Sequence, residues 1–174
     1  RPSASPTKGR AVIERANPAD APAILAVETA TFSDPEGRFN ARQIRGLIAN
    51  PRAAVAVARH EIGTVGWCVS LTRSHARWRS GRVYSIAVMH EFAGRGIGRA
   101  LLQWSLTELG ARGVGRVYLE VREYNAPAIA LYRDVGFETV ERLASYYAPG
   151  IDGLRMLRIA DARTNATTAT KPRS

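Results

Sequence analysis

The sequence predicts a mixed α+β fold: one central sheet of six to seven strands, mixed but mostly antiparallel, flanked by about four helices. Three observations carry this. Apolar runs at 53–59, 64–72 and 82–88 follow one another across short connections, as in an antiparallel meander. Leu101, Leu102, Leu106 and Leu109 recur at helical spacing directly after a glycine-dense turn. Val117, Leu119 and Val121 alternate with polar residues, so a further strand follows that helix.

In chain order, Ala11 to Arg15 reads as a short first strand. Asn17 is an N-cap with Pro18 at the first helical position, starting a helix through Ala30 whose periodicity is weak because it is alanine-rich. A loop over 32–37 precedes a second helix from about Asn40 to Ala49, which Asn50-Pro51 ends. The meander of three strands follows, with Ser74 to Gly81 as its longest connection. The third helix runs from about Gly98 to Ala111, and Val117 to Val121 is a central strand. Asn125 caps a fourth helix that Gly136 ends, and strands near 137–144 and 154–159 complete the sheet.

With 174 residues, 45% of them apolar, the chain suits one domain over residues 11–160. Its net charge of +10 is spread unevenly. Residues 1–10 and 161–174, rich in Ser, Thr, Ala and Pro, read as disordered tails and together hold +5 of it. These basic tails are a weak sign of nucleic acid; the remaining charge suits steering of an anionic ligand. Cys68, the only cysteine, allows no internal disulfide and reads as a buried strand thiol. His60, His75 and His90 sit in or beside loops without metal-ligand spacing, so solvated surface positions and no metal are expected. No run approaches eighteen apolar residues and the first ten lack a signal-peptide core, so no membrane association and a cytoplasmic location are expected.

The most informative stretch is Ala93-Gly94-Arg95-Gly96-Ile97-Gly98-Arg99, between a strand and a helix start. Backbone N–H groups left unpaired at a helix N-terminus, reinforced by the helix dipole, suit phosphate. Glycine lets phosphate oxygens approach without a Cβ in the way. Arg95 and Arg99 add charge beside that cradle. The spacing excludes two cofactor motifs. The dinucleotide fingerprint fails from either Gly94 or Gly96, since its last position falls on Arg99 or Leu101. A Walker A loop needs G-K-[ST], which is absent.

The order Ser85-Ile86-Ala87-Val88, then Arg95 to Leu102, Leu119-Glu120-Val121-Arg122, Asn125, and Ala130-Leu131-Tyr132 closing on Gly136-Phe137 resembles the GNAT acyltransferases. It is most similar to the RimI type, bacterial enzymes that acetylate the N-terminal amine of a ribosomal protein. The resemblance covers roughly 83–157. One departure is that Ala93 occupies the first position of the family's [QR]-x-x-G-x-[GA] loop. The resemblance implies acetyl-CoA as cosubstrate, held by the backbone of Ile86, Ala87 and Val88, by the loop Gly94, Arg95, Gly96, Ile97, Gly98 and Arg99, and by Asn125. It implies an acceptor that is a peptide or protein N-terminus, a ribosomal protein being one candidate.

Glu120 lies with Tyr118 and Arg122 on one face of its strand, opposite Val117, Leu119 and Val121. A mid-strand carboxylate is costly to bury unless paired or near water. It is either a structural ion pair, with Arg122, Arg116 or a helix-borne arginine, or the general base that the resemblance implies. Tyr132 is either a core aromatic or, by the resemblance, the acid that protonates the cofactor sulfur. Asn125 serves as helix cap, as cofactor contact, or as both. Tyr146 and Tyr147, followed by Gly150 and Asp152-Gly153, resemble the tyrosine pair and hairpin with which N-terminal acetyltransferases hold a peptide. The acidic pair that often follows that glycine is Leu154-Arg155 here, and the 32–39 loop has no tryptophan. Acetyl transfer to a small-molecule amine, or a non-catalytic acyl-CoA- or RNA-associated module, are the alternatives.

Overall fold

The strand Ala53–His60 (β2) is buried along almost its whole length, because helices cover both faces of the sheet at that point. Val55 and Val57 pack with Ile24, Val27, Ile44 and Trp67 under the helices Ala21–Thr31 (α1) and Ala41–Ala49 (α2). Ala56 and Ala58 pack with Cys68, Ile97 and Leu101 under the helix Ile97–Ala111 (α3). The alternation of a period-two strand thus fills two cores at once.

The computed structural model describes residues 9–34 and 37–160. The remaining strands are Val12–Arg15 (β1), Gly63–Ser74 (β3), Arg79–Val88 (β4), Arg116–Arg122 (β5), Glu138–Ala148 (β6) and Ile151–Ile159 (β7), and the remaining helix is Ala126–Asp134 (α4). Their order in the sheet is β1-β2-β3-β4-β5-β7-β6, antiparallel throughout except for the parallel pair β4–β5. This is the mixed, mostly antiparallel sheet with four helices that the sequence predicts. A third core joins Leu102 and Leu109 of α3, Ile129 of α4, and Val117, Leu119 and Val121 of β5.

Several elements differ from expectation. Asn17 caps a 3-10 turn, Pro18–Asp20, through a capping box with Asp20, and α1 begins only at Ala21. Half of the connection expected over 74–81 is strand: Ser74 pairs with Arg79, leaving a tight turn closed by the His75 N–H donating to the Trp78 carbonyl. Polar residues hid that pairing. β6 and β7 are longer than expected and take in Tyr146 and Tyr147. His60 is buried against the Phe92 ring with Nε2 3.1 Å from the Gly9 carbonyl, so it is no surface residue. Cys68 is buried as expected, and burial pushes its thiol up to about 11. The two expected tails fall largely on residues 1–8 and 161–174, outside the described residues. Among the described residues no helix is long and apolar enough to cross a membrane.

Candidate active site

β4 and β5 pair only over Ser80–Val83 and Arg116–Leu119. Both strands run on, β4 to Val88 and β5 to Arg122, hydrogen-bonded only to their outer neighbours β3 and β7. The register of β3 and β4 shifts at Val69/Ser70, which leaves Tyr84 as an extra residue in β4. A bulge bends its strand and breaks the ladder, so the two strands part there. The inner edges of β4 and β5 beyond this point face a notch through the sheet, with backbone groups left for a ligand to pair.

A cavity of about 240 Å³ occupies the notch, lined among others by Ile86, Glu120, Asn125, Tyr132 and Tyr147. Glu120 reaches it from the face of β5 opposite α3 and α4, whereas Tyr132 reaches it from α4. The notch therefore brings together two groups from opposite faces of the sheet. Ala87 and Val88 lie further along β4, paired with Trp67 and Gly66, and do not line this cavity. Nor do residues 94–99 or Tyr146.

The glycine loop sits at the far end of β4. Gly94 and Gly96 have φ of 74° and 78°, the left-handed region that glycine adopts without strain. Gly96 is the N-cap of α3 and provides no side-chain acceptor, so the first N–H groups of α3 are left for solvent or a ligand. A Cβ built on either glycine meets no protein atom within 4 Å, so open space borders both residues. This is a cradle that fits the diphosphate of an acyl-CoA. A Cβ on Gly98 would stand 3.7 Å from Leu131 and 3.9 Å from Val88, which sets the start of α3 against α4 and the end of β4. Arg95 folds over the Phe92 ring and donates to the Glu91 carbonyl, and Arg99 pairs with Asp134 at 2.9 Å. Both guanidiniums are thus partly engaged by the protein. Asn125 caps α4, its Oδ1 accepting from the Ala128 N–H, while also lining the notch.

The Glu120 side chain is only 6% exposed and paired twice. Arg82 Nη2 lies 2.8 Å from Oε2, and Arg155 Nε lies 3.1 Å from Oε1. The ion-pair expectation is therefore met by different partners: strand neighbours on β4 and β7 rather than Arg122, Arg116 or a helix arginine. Arg82 also donates to the Tyr146 hydroxyl at 2.8 Å, and Arg155 to Glu141 at 2.5 Å. Sequence reasoning missed both arginines, since strand order decides which residues become neighbours. Burial pushes the Tyr132 hydroxyl up to about 12, and its ring packs edge-on to Phe137. Burial likewise raises Tyr147 to about 12, and Arg122 lies over its ring.

Glu28 on α1 also lines the notch, 1% exposed, and was not visible in the sequence as a site residue. It accepts from Trp67 Nε1 at 2.9 Å and from the Phe39 N–H at 3.0 Å, which ties the α1–α2 connection to β3. Desolvation raises its carboxyl above the usual range. Among the described residues no group of three or more His, Cys, Asp or Glu is placed to hold a metal ion.

The chain is similar to known acetyltransferases. An N-alpha-acetyltransferase of Sulfurisphaera tokodaii is 46% identical over 79 residues, covering 45% of this chain and 47% of that protein. An uncharacterized protein of Mycobacterium leprae is 36% identical over 150 residues, 86% of this chain and 41% of its own length. The chain thus spans less than half the length of these curated relatives. Among solved structures, the ribosomal-protein-S18-alanine N-acetyltransferase from Escherichia coli superposes with a TM-score of 0.74 at 26% identity, covering 89% of this chain and 97% of that one. Residues 21–137, from α1 to the end of α4 and beyond, match the acetyltransferase (GNAT) family, and the chain belongs to that family.

Proposed function

We propose that this chain transfers an acetyl group from acetyl-CoA to a primary amine by direct attack, and that the acceptor is a protein N-terminal α-amine. The observation that carries the reading is the convergence of Glu120 and Tyr132 on one notch from opposite faces of the sheet. The names of the Sulfurisphaera and Escherichia relatives support the acceptor class.

Acetyl-CoA, when bound, supplies the thioester whose C–S bond breaks as the C–N bond to the amine forms. Glu120 takes the proton the amine loses, directly or through one water; an α-amine with a pKa of ~8 needs only a modest base. Its two arginine partners fix the carboxylate in place. Tyr132, raised to about 12, keeps its proton at neutral pH and holds it for the sulfur. The inner edges of β4 and β5 and the N–H groups at Gly96 are the binding surfaces for the cosubstrate's amides and diphosphate. Tyr147, at the notch, and Tyr146, tied to Arg82, flank the acceptor.

The test is turnover with acetyl-CoA of peptides with varied first residues against free small amines, read as thiol release and product mass. Peptide acetylation is expected. Turnover of small amines alone moves the acceptor class, and calorimetry showing no heat with CoA overturns the reading.

A further inference from the structure

A second cavity of about 590 Å³ adjoins the notch and shares the lining residues Tyr84 and Glu120 with it. Four arginines line it, Arg52, Arg73, Arg82 and Arg155, against one carboxylate, Glu120. Arg82 and Arg155 are committed to Glu120, and Arg155 also to Glu141. The exposed guanidiniums of Arg52 and Arg73 have no hydrogen bond or ion pair among the described residues, so among those residues two positive charges at its rim have no counter-charge.

We propose that this cavity receives an acidic stretch of the acceptor polypeptide, the residues following the one that bears the reacting amine. It thereby selects acceptors with Asp or Glu just after the N-terminal residue. The inference rests on reading the notch as the transfer site, because the shared wall at Tyr84 and Glu120 makes the cavity the exit path for the rest of the acceptor. Carboxylates suit the unpaired guanidiniums of Arg52 and Arg73. A nucleic acid fits less well. The Trp78 indole already stacks on His75 at 3.8 Å and carries the Arg116 guanidinium 5.6 Å from its ring, so it is not free to stack on a base.

The test uses peptides that share one first residue and carry acidic, neutral or basic residues at the next three positions. Each is measured for turnover and, separately, for binding to the CoA-loaded protein by calorimetry. The acidic peptide is expected to lead the neutral one by about fivefold in kcat/KM, chiefly through KM, as two exposed charge pairs allow. That lead should shrink as salt rises to about 0.5 M, a readout that needs no variant. Arg52→Glu with Arg73→Glu should invert the ranking of acidic and basic peptides in both assays. Equal or basic-favouring turnover by the wild type overturns the inference and leaves acetyl transfer standing. Acidic-peptide binding that depends on the two arginines, with no amine acetylated, upholds the cavity and overturns the transfer reading. Displacement of the acidic peptide by a lower concentration of single-stranded RNA also overturns the inference, as does the absence of any peptide binding.

Discussion

Glu120 stands directly across the ladder from Arg155, and their side chains meet at 3.1 Å. Opposite charges at such a position support the pairing of β5 with β7. The same pair anchors the carboxylate proposed as base, while Arg82 holds its other oxygen from β4. A single β5 side chain is therefore tied to both neighbouring strands, to β4 through Arg82 and to β7 through Arg155. Removing its charge should affect both chemistry and folding.

Glu120→Gln is expected to lower kcat by about 10²–10⁴, the usual contribution of a positioned base. Arg155→Ala keeps the carboxylate but removes one partner. It should cost about 1–2 kcal/mol, between the values for exposed and buried pairs, since Arg155 is one-third exposed and Glu120 nearly buried. Urea melts and steady-state turnover of the two variants separate these effects. Full activity in Glu120→Gln would remove it from the role of base.

Tyr132→Phe keeps the ring packed against Phe137 and removes only the proton donor. Turnover should fall by about 10²–10⁴ with near-wild-type melting at neutral pH. Alkaline stability supplies an independent check. The folded-state value of about 12 exceeds the ordinary 10.0, so above pH 10 the unfolded chain releases this proton first. The stability contribution is intact below about pH 10 and is lost as pH rises toward 12, by about 2–3 kcal/mol. Wild-type protein should therefore lose stability across that window more steeply than Tyr132→Phe.

The elements around the notch were legible where periodicity is strong. Leu101, Leu102 and Leu109 marked α3, and Val117, Leu119 and Val121 marked the face of β5 that packs on it, leaving Glu120 on the other. Gly94 and Gly96 announced a turn that needs positive φ, and Asn125 announced a cap. What stayed hidden depends on neighbours remote in sequence. Arg82 and Arg155 meet Glu120 only because β7 inserts between β5 and β6 and β4 runs parallel to β5. Glu28 carried no signal in the sequence, since nothing local announces that Trp67 and Phe39 will enclose it. His60 ends a strand whose exposed appearance is cancelled by Phe92 and Gly9 folding over it.

Glu28 is expected to give the protein an unusual pH response on the acid side. Its folded-state pKa is raised above 4.5 by desolvation, so as pH climbs past 4.5 the unfolded chain ionises first. Its contribution is greatest below 4.5 and declines as pH rises through the folded value. The stability difference between wild type and Glu28→Gln, from urea melts at a series of pH values, should therefore move in favour of the variant as pH increases. A difference that is flat with pH shows that the buried carboxyl is not perturbed. Activity should fall in the variant as well, because one of the two donors, Phe39 N–H or Trp67 Nε1, loses its acceptor and the α1–α2 connection loosens at the notch.

The glycine loop can be tested by separating backbone strain from ligand contact. Gly96→Ala forces a Cβ into the left-handed region at a cost of about 1–2 kcal/mol. The added methyl meets no protein atom within 4 Å, so steric damage to the fold is not part of that cost. If the diphosphate of CoA lies against this backbone, the methyl occupies its space and weakens binding beyond anything strain alone explains. The expected result is a rise of at least about tenfold in the Kd for CoA, comparable to losing one good charge-assisted hydrogen bond. Gly110→Ala, in α3 where a Cβ also meets open space, is the control: it should bind CoA as the wild type does and gain slightly in stability from better helix propensity. Calorimetry on the two variants decides the matter, and equal affinities would place the phosphates elsewhere.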